Sequence, residues 1–138
     1  MNLSNKSINI LLIEDDEVDI KNIKYGFKDF NIKNNLIIVN NGVDALNVLY
    51  GRNGEKVLTP KPKIIILDIN MPKMNGFEFL KNIQSDENFS NIPVLIVTTS
   101  EAEQDKQFAQ KFKTAGYFPK PLNFKNFLLV YKRIIENK

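Results

Sequence analysis

Three stretches of uninterrupted apolar residues constrain this chain most: Ile10-Leu11-Leu12-Ile13, Ile64-Ile65-Ile66-Leu67 and Val94-Leu95-Ile96-Val97. Each is too short for a helix, and none alternates with polar residues as a half-solvated strand does. A strand with no polar face must be covered on both sides, as in the middle of a parallel α/β sheet. The residues that end these runs are equally telling. Glu14 and Asp15 follow the first, Asp68 the second and Thr98 the third, while Lys120 follows the aromatic segment Tyr117-Phe118. In an open parallel sheet, ligands bind outside the carboxyl ends of the strands. The charged groups therefore meet at one edge. Three carboxylates and an ammonium there describe a divalent-cation site around a reactive aspartate.

Strand and helix patterns alternate five times along the chain. The first strand spans about Asn9 to Ile13, and a helix from about Val18 to Phe30 follows with Ile20, Ile23, Phe27 and Phe30 on one face. Leu36 to Val39 reads as the second strand, and Asn41-Gly42 opens a helix carrying Val43, Leu46 and Leu49. Gly51 to Lys63, rich in glycine, proline and basic residues, reads as a long surface loop. The third strand leads through Asp68 into a loop and a helix ending at Gln84, with a polar connection over Asp86 to Asn91. The fourth strand ends at Thr98. A helix from about Glu103 to Phe112, a strand at Gly116 to Phe118 and a helix from about Asn123 to Asn137 complete the series. Pro119 removes a ladder donor, which suits a strand end or an edge strand. Such alternation predicts a doubly wound sheet in one domain over residues 1–138, with its core at about 8–137 and no output domain.

Composition narrows the chemistry. The 138 residues include no cysteine and no histidine, which removes disulfides, thiol catalysis, thiolate or imidazole metal sites and Ser-His chemistry. Whatever reaction occurs uses carboxylates. The net charge of +3 comes from lysines spread along the chain with only Arg52 and Arg133 beside them, unlike the Arg-rich footprint of a nucleic-acid binder. No apolar stretch is long enough to cross a bilayer, and the first residues lack a signal-peptide core. The expectation is a cytoplasmic protein that engages neither nucleic acid nor membrane.

The set Glu14-Asp15, Asp68, Thr98 and Lys120-Pro121, in this order and after these strands, resembles the receiver domain of two-component response regulators. The loop from Asp68 through Asn70, Met71 and Asn75 to Gly76 is similar to that family's phosphoacceptor loop. The likeness runs from Ile8 to the end of the last helix. It implies a five-stranded parallel sheet of order 2-1-3-4-5, the order of flavodoxin-like doubly wound folds. It further implies Mg²⁺ held by Asp15 and Asp68 directly, by Glu14 through water and by the backbone carbonyl of Asn70. Mg²⁺ favours an octahedral shell of oxygens and keeps several waters, so this donor set suits it. Asp68 becomes the nucleophilic phosphoacceptor, Lys120 the cation for a phosphoryl oxygen and Thr98 a hydroxyl donor to another. A cis Lys120–Pro121 peptide and an aromatic switch at Tyr117, moving with Thr98, also follow from the likeness.

Each residue has an ordinary reading as well. The run Glu14 to Glu17 also suits a helix N-terminus, as Asp16 and Glu17 do on either reading. Asp68 also suits a turn cap, Thr98 a strand end, Lys120 a solvated surface and Tyr117 a packed edge residue. Their convergence on one edge is what sets these readings aside. Three departures from the family stand out. Lys113-Thr114 replace its usual Gly-Ala after the fourth helix, Asn75 replaces a frequent Asp, and the 51–63 loop is long. The long loop, with Thr98-Thr99-Ser100, looks like the single-domain regulators that partner phytochrome-type kinases. On the last helix Phe124, Leu128, Tyr131 and Ile135 form one stripe, and Phe127, Val130 and Ile134 form another. The second is either further core or an exposed face for a partner or homodimer.

The resemblance thus implies a signalling domain rather than an enzyme with turnover. It takes a phosphoryl group from a histidine kinase or phosphotransfer protein, catalyses its own phosphotransfer and dephosphorylation, and passes the signal by changing a protein-binding surface. Onward relay of the phosphoryl group is the alternative. Asn70 and Ser100, flanking the site, are expected to influence the phosphoryl lifetime. A flavodoxin-like FMN carrier needs a phosphate-binding loop where Glu14 and Asp15 stand. A haloacid-type phosphatase usually has a second acid where Asn70 stands.

Overall fold

The computed structural model describes residues 2–70, 74–99 and 103–137, with side chains omitted at 103–105 and 108. Among the described residues, five strands alternate with five α-helices, after a short 3-10 turn at Asn2–Ser4. Strand β1 is Asn9–Ile13, β2 Asn35–Val39, β3 Ile64–Leu67, β4 Val94–Thr98 and β5 Gly116–Pro119. The helices are α1 Glu17–Asp29, α2 Gly42–Tyr50, α3 Gly76–Gln84, α4 Glu103–Gln110 and α5 Phe124–Glu136. All strand pairs are parallel, and the order is β2-β1-β3-β4-β5. The three apolar runs occupy the three central strands and are buried throughout, whereas the edge strands β2 and β5 are only half-buried. Pro119 closes the edge strand β5, where its missing N–H leaves no central ladder bond unmade.

Alternate side chains of each strand point to opposite faces. Leu11, Ile13, Ile65, Leu67 and Ile96 pack with α2, α3 and Ala109 of α4, centred on Phe79, Leu80 and Ile83. On the other face Ile10, Leu12, Ile64, Ile66 and Val97 pack with α1 and α5, through Ile23, Phe27, Phe127, Tyr131 and Ile135. Four helices begin at an Asx residue whose side chain accepts a backbone N–H of the first turn: Asp16, Asn41, Asn75 and Asn123. These caps satisfy donors that a helix start leaves unpaired. Asn75 in the usual Asp position keeps this function.

Several sequence expectations change in detail. Phe127 is fully buried and Val130 and Ile134 are half-buried against the same core, so the second stripe of α5 is core rather than an exposed association face. The deepest ridge of α5 is Phe127-Tyr131-Ile135, which mixes the two stripes; the exposed large apolar residue of α5 is Leu129. The connection after α3 is not wholly polar. Phe89 is buried there, and Asp86 accepts a short hydrogen bond from the Tyr50 hydroxyl. The 51–63 loop is largely exposed but pinned: Gly51 ends α2 with φ of 69°, and Leu58 N–H donates to the Val48 carbonyl. At Lys113, where the family has Gly-Ala, a left-handed residue is not used. Instead the Gln84 side chain brackets the Lys113 peptide, donating to its carbonyl at 2.8 Å and accepting its N–H at 3.2 Å.

Candidate phosphoacceptor site

Strand register builds the site. Ile13 pairs with Leu67 and Leu67 with Ile96, so Glu14 and Asp68 leave the sheet side by side at its carboxyl edge. Thr98 pairs with Pro119, which delivers Lys120 to the same edge from the neighbouring strand. The ladder bonds continue one step further: Asp68 N–H donates to the Ile13 carbonyl at 3.1 Å and Lys120 N–H to that of Thr98 at 2.9 Å. Four residues far apart in sequence thus share one end of the sheet.

The side chains then interlock. Lys120 Nζ donates to Glu14 Oε1 at 2.6 Å, Asp19 Oδ2 at 2.7 Å and Asp68 Oδ2 at 3.2 Å. The other Glu14 oxygen accepts the N–H groups of Asp15 and Asp16. Asp68 Oδ1 accepts the Asn70 N–H at 3.1 Å. Glu14, Asp68 and the Lys120 side chain are buried, while Asp15 is exposed. Burial, reinforced by the charge of Asp68, pushes the Glu14 carboxyl up to about 7 against the pull of Lys120. Burial alone would lower Lys120, but its hydrogen bonds to Asp19 and Glu14 and the charge of Asp68 outweigh that and raise it. The ammonium therefore stays charged at neutral pH.

Glu14, Asp15 and Asp68 each offer a carboxylate oxygen within 4.8 Å of the others'. An all-oxygen donor set with repelling charges fits a hard divalent cation such as Mg²⁺, Mn²⁺ or Ca²⁺. Thr98 is fully buried at the end of β4. Tyr117 lies two residues before the end of β5, half-buried against the α2–α4 core. It lines a cavity of about 230 Å³ together with Lys106, Ala109, Gln110 and Thr114. The Lys120–Pro121 peptide is cis, as is Thr59–Pro60. Met71-Pro72-Lys73 of the loop after Asp68, and Ser100, lie outside the described residues.

Sequence reasoning missed Asp19. The helix-start reading stopped at Glu17, and Asp19, two residues further on, ends no strand that would single it out. The available signal was its position four residues before Ile23, on the flank of α1 that turns inward, where a carboxylate needs a partner.

The family model for the response regulator receiver domain matches residues 10–132. The chain belongs to that family. It is a phosphoacceptor signalling module of two-component systems. This receiver is similar to the response regulator Rcp1 of Synechocystis, at 34% identity over 117 residues, 85% of this chain and 79% of Rcp1. The crystal structure of the Mn²⁺-bound form of Rcp1 superposes with a TM-score of 0.78 at 31% identity, covering 91% of each chain. A two-component response regulator from Legionella pneumophila gives a TM-score of 0.83 at 36% identity, covering 94% of this receiver and 98% of that chain. The phosphorylated cyanobacterial phytochrome response regulator RcpA gives 0.80 at 28% identity, covering 94% of each. No helix among the described residues is long and apolar enough to cross a membrane.

Proposed function

We propose that Asp68 is the phosphoacceptor, that Mg²⁺ is the cation, and that the donor is a phosphohistidine of a phytochrome-type histidine kinase or of a phosphotransfer protein. The observation that carries this reading is the setting of the Asp68 carboxylate. It is buried at the sheet edge between a lysine ammonium and a backbone N–H, with two further carboxylates in reach of a shared cation. Asp15 and Asp68 would hold the ion directly, Glu14 through water, and the Asn70 carbonyl would add a further protein ligand. A cation held there would neutralise the crowded carboxylates and supply positive charge for a phosphoryl group approaching Asp68.

In the reaction an Asp68 oxygen attacks phosphorus. The P–N bond to the donor imidazole breaks, the imidazole leaves and an acyl phosphate remains. Transfer of this kind needs positioning and charge stabilisation more than covalent assistance. Lys120 meets charge on a phosphoryl oxygen, and the Thr98 hydroxyl donates to another. The same groups serve hydrolysis of the acyl phosphate, so phosphotransfer and dephosphorylation are self-catalysed in the cytoplasm. Movement of Thr98 toward the phosphoryl group frees space that the Tyr117 ring takes up, changing the α4–β5–α5 surface read by a protein target. The similarity to the phytochrome response regulator RcpA supports the phytochrome-type donor.

The test is labelling with acetyl phosphate and Mg²⁺. Wild type should gain hydroxylamine-sensitive phosphate, and Asp68→Asn should gain none because an amide is a poor nucleophile. Undiminished labelling of that variant would put the acceptor elsewhere.

A further inference from the structure

An ammonium has three N–H donors, and Lys120 uses all of them on carboxylates. The three contacts are unequal. Those to Glu14 and Asp19 are 2.6 and 2.7 Å, while that to Asp68 is 3.2 Å. Two short bonds act as anchors, and the third donor is aimed at the reacting carboxylate. The Asp19 backbone is itself fixed, because its N–H donates to the Asp16 cap at 3.1 Å. A cavity beside the ammonium, bounded by Glu14, Asp19, Asn22 and Leu122, has only about 20 Å³, room for about one water. Helix-dipole stabilisation accounts for an acid in the first turn of α1 but not for its contact with this lysine.

We propose that Asp19 is a positioning residue, tethering the Lys120 ammonium so that one N–H stays directed at Asp68 as that partner changes from carboxylate to acyl phosphate. The inference rests on Asp68 being the acceptor. Without Asp19 the ammonium is held by Glu14 and Asp68 alone and settles between them, on the carboxylates that the divalent cation also needs. A second anchor on α1 draws it away from the cation position without releasing it.

The first experiment needs neither metal nor phosphate. In metal-free wild type, NMR of ¹⁵N-labelled lysine should show one Nζ group protected from solvent exchange and absent in Lys120→Arg. Asp19→Asn should speed that exchange roughly tenfold, the scale of one charge-assisted hydrogen bond. Asp19→Glu should retain most of the protection, and Glu17→Gln, an acid of the same helix turn, should leave it unchanged. The second experiment is labelling with acetyl phosphate and Mg²⁺. Asp19→Asn should slow it roughly tenfold, and the same change should have no effect in a Lys120→Met background. Unchanged Nζ exchange in Asp19→Asn, or an equal slowing with and without Lys120, overturns the tether. If Lys120→Met takes no label at all, the Nζ exchange decides. If wild type is not labelled on Asp68, the acceptor reading fails while the exchange data still judge the tether.

Discussion

Removing divalent cations should give this receiver a stability that falls as pH rises through neutrality, and Glu14 is the reason. Its carboxyl is buried beside Asp68, and its pKa stands at about 7 in the fold against an ordinary 4.5. The folded state then binds more protons than the unfolded chain between those two values, so stability decreases with pH across that window and levels off above it. Below about 4.5 the group is protonated in both states and contributes no slope. At about 1.4 kcal/mol per pKa unit, the gap corresponds to a loss of about 3 kcal/mol between pH 4.5 and 8. That is a sizeable share of the roughly 5–15 kcal/mol of a typical domain.

Other shifted groups do not blur this window. Asp86 is lowered by the Tyr50 hydroxyl, so it is ionised in both states above pH 5. Lys120 is raised, so its contribution is complete below 10.5 and fades only in strong alkali. The assay is urea unfolding in EDTA at pH 5, 6, 7 and 8 for wild type and Glu14→Gln. Wild type should lose stability from pH 5 to 8, and Glu14→Gln should be nearly flat. Saturating Mg²⁺ should recover the loss at pH 8 and do little at pH 5, because the cation binds the charged form. A metal-free stability that climbs from pH 5 to 8 would refute the argument, because the Lys120 pairing would then outweigh burial.

Further outcomes follow from particular contacts. Asp15→Ala should weaken Mg²⁺ binding at least tenfold while shifting the melting temperature little, since Asp15 is exposed and its loss relieves repulsion within the cluster; a loss of several degrees with unchanged metal titration would make Asp15 structural. Gly76→Ala should destabilise by about 1–3 kcal/mol and slow labelling of Asp68, because the added Cβ would lie 2.5 Å from Ile69 Cα; a melt and labelling rate like wild type would show the loop yields freely. Tyr131→Phe should cost about 1–2 kcal/mol in urea, since the buried Asn34 side-chain oxygen loses the hydroxyl that donates to it at 2.7 Å. Beryllofluoride, a phosphoryl mimic, should draw Thr98 toward Asp68 and bury the half-exposed Tyr117 ring; an unchanged Tyr117 rotamer by NMR would rule out the aromatic switch.

The sheet was legible because its signal is local. Ile64 to Leu67 has no polar side on which to face water, and its exclusion from solvent follows from four residues alone. The meeting of Glu14, Asp68 and Lys120 needed one more step, the rule that parallel strands end together, and the Ile13–Leu67 and Thr98–Pro119 pairs obey it. Features set by the rotation of a helix about its axis were harder to read. On α5, Phe127, Val130 and Ile134 are spaced as one stripe, but the helix turns Phe127 fully inward and leaves the other two at its flank. Apolar residues spread over a wide arc leave that rotation undetermined by sequence spacing. Only packing against Phe27 and Phe118 fixes it, with ring centroids 5.4 Å apart for Phe27–Tyr131 and 5.5 Å apart for Phe118–Phe127.

Asp19 belongs to the same class of problem. Glu14, Asp15 and Asp68 are singled out by the strands they terminate, whereas Asp19 reaches the site through the pitch of α1 and the packing of that helix beside α5. A charged residue on the inner flank of an amphipathic helix has few stable environments, because desolvating a carboxylate is costly without a compensating partner. Here the compensating cation is Lys120, 101 positions away in the chain. The same ammonium that answers the charge of Asp68 therefore also resolves a folding problem on α1. This double use ties the start of α1, beside the Asp16 cap, to the site through the Lys120–Asp19 pair.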